Sequence, residues 1–88
     1  MELEERGIMQ VELRLLASMR RRLPEKDSAG GVSVFDLSDG ATCRELLEKV
    51  NIGGCSTLVV LVNGRYAAPE RELLNGDVVS VFPPIAGG

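Results

Sequence analysis

One stretch of this sequence has helical periodicity and a marked beginning, and it limits what the rest of the chain can become. Thr42 is followed three residues later by Glu45, the spacing at which a hydroxyl caps the third helical amide while a carboxylate reaches back to the cap's own N–H. From there Cys43, Leu46, Leu47 and Val50 recur at helical intervals and make one apolar stripe. The pair Gly53-Gly54 is expected to end the element, because glycine accepts the left-handed conformation that stops a helix. A single stripe of this kind in a short chain has one use, which is to be laid across a sheet.

The remaining apolar residues come in runs of strand length. "IMQVELRLL" alternates, with Met9, Val11, Leu13 and Leu15 on one face and Gln10, Glu12 and Arg14 on the other, and a period of two is that of a half-buried strand. "PEKDSAGG" gathers polar and breaking residues and reads as a turn or loop. "VSVFDL" beyond it reads as a second strand, whose inward face the pattern leaves open. The two strands are expected to form a hairpin. After the helix, "LVVLV" from Leu58 to Val62 runs into Asn63-Gly64, the pair preferred in tight hairpin turns, with a return strand near Arg65. "ERELLNGD" is expected to hold one short turn of helix and a loop, with Gly76 at positive φ, before "VVSVF" forms the last strand. The order is β-β-α-β-β-β, an α+β domain.

Composition narrows the chemistry. Eighty-eight residues leave room for one core, and 44% apolar against 26% charged residues is the balance of a folded chain. A net charge of −3 argues against nucleic-acid binding, which needs a surplus of cations to neutralise phosphates. The run Arg20-Arg21-Arg22 reads as a solvated helix or loop edge, with docking to an acidic partner as the sharper alternative. There is no histidine, so His-based metal triads and Ser/His or Cys/His nucleophile pairs are excluded within this chain, and no metal site is expected. Cys43 and Cys55 form no C-x-x-C pair and are expected to be reduced thiols, Cys43 serving the core. No membrane span or secretory leader is read in the sequence, and the chain is expected to be cytoplasmic.

The sequence closes on "FPPIAGG", a segment with almost no side-chain chemistry. Gly87 and Gly88 lack a Cβ and fit a channel too narrow for side chains, while Pro83 and Pro84 remove two donors and hold the segment extended. The six residues beyond Phe82 reach about 20 Å at about 3.3 Å each. On the last strand Val79 and Val81 are expected to face the core, which leaves Val78, Ser80 and Phe82 on the opposite side with Phe82 exposed. By the same parity Leu16 falls on that side, and Tyr66 lies just past the Asn63-Gly64 turn.

Four features coincide along the chain: "GATCRELL", "LVNG", "NGDVVSVFPP" and the terminal Gly-Gly. Together they resemble the sulfur-carrier proteins of the MoaD/ThiS group over about residues 9–88, and the Pro-Pro pair and the length favour the molybdopterin branch. The resemblance implies a β-grasp, ubiquitin-like fold, with a mixed sheet of about five strands and one main helix packed across one face. It implies residues 1–8 as a flexible extension, 9–82 as the domain and 83–88 as an extended tail. It further implies a chain that is not an enzyme by itself and binds no cofactor. Gly88 would be adenylated by a ubiquitin-activating-like adenylyltransferase that uses ATP and Mg, would receive sulfur from a donor system, and would deliver it as a thiocarboxylate within a heteromeric molybdopterin synthase. Pro83, Pro84, Ile85, Ala86 and Gly87 are then the residues in a partner's channel. Leu16, Tyr66 and Phe82 are then the patch that meets both the activating enzyme and the large synthase subunit. The same chemistry admits carriers for thiamine thiazole, tRNA thiolation or cysteine synthesis, and a ubiquitin-like modifier conjugated through Gly88.

Overall fold

The computed structural model describes residues 7–52 and 58–82. In chain order they form β1 (Ile8–Leu15), a 3-10 helix (Ala17–Arg22), α1 (Glu25–Ser28), β2 (Val32–Ser38), α2 (Cys43–Lys49), β3 (Val59–Val62), β4 (Arg65–Tyr66) and β5 (Val78–Phe82). The five strands make one sheet in the order β2-β1-β5-β3-β4. β1 and β5 are parallel, and the other neighbours are antiparallel. One face of this mixed sheet carries α2, the β-grasp arrangement that the motifs imply.

The core follows from the alternation. Met9, Val11, Leu13 and Leu15 of β1 and Val79 and Val81 of β5 are buried together with Cys43, Leu46, Leu47 and Val50 of the helical stripe. The inward face of β2, which the sequence leaves open, consists of Ser33, partly buried Phe35 and Leu37. Val32 and Val34 therefore point away from the core and are exposed. The buried hydroxyl of Ser33 donates to Asp27 Oδ2 at 2.6 Å, which ties α1 to β2.

α2 starts as the sequence predicts. The Glu45 N–H donates to Thr42 Oγ1 at 3.4 Å and the Thr42 N–H to Glu45 Oε1 at 2.8 Å, a complete capping box. The two amides between them, of Cys43 and Arg44, donate to the carbonyls of Arg71 and Pro69 at 3.0 and 2.9 Å. That demand corrects the expectation of a helical turn in "ERELLNGD". Its Arg71 carbonyl is drawn to the Cys43 amide that opens α2, and its Leu73 N–H donates to the Ala41 carbonyl at 2.8 Å, so the segment runs as turns and a bridge, Thr42 to Glu72.

The helix also ends before its expected stop. It terminates at Lys49, and Asn51 takes the left-handed conformation at φ 63°. The Asn51 N–H donates to the Glu48 carbonyl at 3.1 Å and the Ile52 N–H to the Leu47 carbonyl at 3.0 Å. This is the bonding of a Schellman motif, with buried Ile52 and Leu47 as its apolar pair. Asparagine serves here because it tolerates the left-handed region better than other side-chain-bearing residues; Gly53-Gly54 lies outside the described residues.

The β1–β2 connection is more structured than the turn or loop expected of it, holding the 3-10 helix and α1. Its last residue is constrained twice. Gly31 has φ +72°, and a Cβ there would stand 2.9 Å from the Leu15 carbonyl oxygen. Asn63 and Gly64, both at positive φ (53° and 85°), make the tight hairpin turn between β3 and β4 as expected.

Candidate functional site

Among the described residues no element covers the face of the sheet turned away from α2, and strand register determines which residues share it. In one row Val32, Arg14, Ser80, Leu61 and Tyr66 lie side by side across all five strands. In the next, Leu16, Phe82 and Val59 are neighbours, Val59 by its pairing with Phe82 and Leu16 because its N–H donates to the Val81 carbonyl at 3.3 Å. On the other side of the first row stand Val34, Glu12 and Val78. Glu12 and Arg14 form an ion pair on this face. The surface is thus apolar at the β5–β3–β4 side and carries the Glu12–Arg14 pair and exposed Asp36 toward β1 and β2.

Of the three residues that the sequence singles out for docking, the structure makes Leu16 and Phe82 immediate neighbours. Tyr66 lies one row away, reached through Leu61 and Val59. Phe82 is half-buried where the sequence reading has it exposed. β5 is a central strand, so both sides of its outer residues are flanked, by β1 and by β3. Tyr66 sits on edge strand β4 and is 83% exposed. Sequence reasoning missed Val59 and Leu61, because the unbroken "LVVLV" hides the alternation that the sheet imposes. It also missed Val32 and Val34, although their V-x-V spacing was available once β2's inward face was known.

β5 is held at its start by a polar clamp. The nearly buried Asp77 carboxylate accepts from Asn63 Nδ2 at 2.9 Å and from the Leu74 N–H at 2.8 Å. Asn63 Oδ1 in turn accepts from the Val78 N–H at 2.9 Å, and the Glu12 N–H donates to the Asp77 carbonyl at 2.9 Å. The hairpin turn, β1 and the first residue of β5 are therefore one bonded unit. Its effect is to aim β5 along the middle of the sheet, so that the chain leaves the fold at Phe82 beside Leu16 and Val59.

Other chemistry is scarce. Cys43 is fully buried, and burial pushes its thiol up, with the opposing pull of Arg71 weaker; it packs and is not poised to react. Cys55, Pro83, Pro84, Ile85, Ala86, Gly87 and Gly88 lie outside the described residues. Among the described residues no group of His, Cys, Asp and Glu is placed to hold a metal ion, and no helix is long and apolar enough to cross a membrane. What the domain offers is a surface and an exit point for a chain.

A family model described as the ThiS family matches residues 21–88. No curated protein matches the chain. A Pyrococcus furiosus structure described as molybdopterin converting factor, subunit 1, is 28% identical, covers 88% of this chain and 99% of its own, and superposes with a TM-score of 0.68. The fold is shared with SAMP1 of Haloferax volcanii, at 24% identity, 90% and 99% coverage and a TM-score of 0.70. It is shared also with a chain in the Helicobacter pylori complex of subunits 1 and 2 of molybdopterin-converting factor, at 20% identity, 91% and 100% coverage and a TM-score of 0.55.

Proposed function

The chain belongs to the ThiS family of ubiquitin-like carriers, and from that premise we propose that it carries sulfur on Gly88 and donates it in molybdopterin biosynthesis. The Gly88 carboxylate attacks the α-phosphorus of ATP held with Mg in a ubiquitin-activating-like adenylyltransferase, and pyrophosphate leaves. A sulfur nucleophile from a donor system then adds to the acyl carbon and AMP is expelled. The resulting thiocarboxylate is a nucleophile on a tether, so its effective concentration at an acceptor is high without free sulfide. The acceptor is a cyclic pyranopterin precursor bound by a large synthase subunit, and these steps take place in the cytoplasm.

The observation that carries the reading is positional: the family match runs through Gly88, and the strand that leads to it is the central one of the sheet and ends at Phe82, at the end of the sheet beside Leu16 and Val59. A partner that covers Leu16, Phe82 and Val59 holds the root of the tail. Gly88, six residues on, is then no more than about 20 Å away. Pro83, Pro84, Ile85, Ala86 and Gly87 occupy the channel between, and Tyr66 extends the contact along β4. The likeness to molybdopterin converting factor subunit 1 supports the branch, and the Helicobacter pylori complex supports a large-subunit partner. The likeness in fold to SAMP1 keeps conjugation of Gly88 as the competing outcome.

Mass analysis of the C-terminal peptide isolated from cells separates them. Sulfur in place of oxygen adds roughly 16 Da, whereas a modifier appears as an isopeptide adduct. Incubating the thiocarboxylate form with the large subunit and the pyranopterin precursor then tests the branch, and absence of dithiolene product would contradict it.

A further inference from the structure

Resting on the carrier reading, we infer that Arg21 and Arg22 form a basic docking element beside the root of the tail, fitted to an acidic surface at the mouth of the activating partner's channel. β1 and β5 run parallel with Leu15 opposite Val81, so both strands finish at the same end of the sheet. There β1 passes through Leu16 into the 3-10 helix Ala17–Arg22, at the end where Phe82 hands the chain on to Pro83. The arginine run and the tail's origin therefore lie at the same end of the sheet, although about sixty residues separate them in sequence.

The three arginines are all exposed but are not equivalent. Arg20 belongs to the fold, since its Nη1 donates to the Ala29 carbonyl at 3.0 Å and its Cδ fills the space where a Gly31 Cβ would stand. Among the described residues, the side chains of Arg21 and Arg22 take part in no hydrogen bond or ion pair. Their position runs against the charge of the chain as a whole. The net charge is −3, yet residues 16–31 carry Arg20, Arg21, Arg22 and Lys26 against Glu25 and Asp27. The far end of the sheet exposes Asp36 and Asp39. Such a polarised surface turns the tail end toward an acidic partner and the other end away from it. RNA is the poorer fit, because neutralising a phosphate backbone calls for a broader cationic face than two free arginines on an acidic chain.

The test is ATP–pyrophosphate exchange by the cognate adenylyltransferase as the concentration of the full chain is varied. Replacing both residues, Arg21→Glu with Arg22→Glu, should raise the KM for the carrier about tenfold at about 0.05 M salt, leave kcat unchanged, and lose most of that effect at about 0.5 M. The charge-removing pair Arg21→Gln with Arg22→Gln should act in the same direction and more weakly, and it serves if the glutamate variant fails to fold. Unchanged KM and salt dependence in both variants overturn the inference alone. So does a wild-type chain whose binding to tRNA is abolished by the substitutions while exchange is unaffected. No exchange with the wild-type chain overturns the carrier reading and this inference with it.

Discussion

The two faces of the same strands differ in what they are made for. Inward, Leu13, Val79 and Val81 are completely shielded and pack beneath α2. Outward, β1 and β5 present Glu12, Arg14, Ser80 and half-buried Phe82, a surface no element of this chain covers among the described residues. The inner face is saturated with contacts of its own and has nothing left to offer a partner. The outer face is ordered by the same backbone yet leaves Leu16, Leu61 and Tyr66 accessible, so its side chains are available for binding at little cost in folding. Position relative to the sheet, more than residue type, separates stability from recognition here.

Substitutions can break that division. The largest loss of stability is expected inside: Leu13→Ala, at a site with no solvent exposure, should cost about 3 kcal/mol through lost transfer energy and the cavity left behind, read as a lower urea midpoint. On the opposite face Phe82→Ala should weaken association with the large subunit by about 2 kcal/mol. Titration calorimetry checks the binding and a melt checks that the domain remains folded; unfolding of the variant would move Phe82 to the core side of the comparison. The smallest change is expected at neither face. Thr42→Ala removes the acceptor for the Glu45 N–H and should cost about 1 kcal/mol, with AMP formation retained in the folded fraction.

Much of the inner face was legible because it obeys periods of two and of 3.6 within single elements. Met9 to Leu15, the stripe from Cys43 to Val50 and the Thr42–Glu45 box need no knowledge of the rest of the chain. What escaped depended on distant segments. "ERELLNGD" forms no helix because its Arg71 carbonyl is taken by the Cys43 amide and its Leu73 N–H by the Ala41 carbonyl, and Asp77 is a clamp only because Asn63 comes to it. The stop at Asn51 was open to local reading, but Gly53-Gly54 offered a stronger apparent signal. On the outer face, Val59 and Leu61 join Phe82 and Tyr66 through register alone, and register across β3, β4 and β5 is set by the Asn63-Gly64 turn and the Asp77 clamp together.

The central claim is that the folded body presents and docks while Gly88 reacts. Deleting Gly88 tests it most directly, with a thermal melt of the variant beside an assay of AMP formation by the activating enzyme and subsequent sulfur transfer. An unchanged melt is predicted, because a terminal glycine contributes few packing contacts. No AMP should form, because the carboxylate is displaced by one residue, about 3.3 Å, from the α-phosphate it must reach. Full activity in the deletion variant would contradict the account, for the carrier and for the modifier alike.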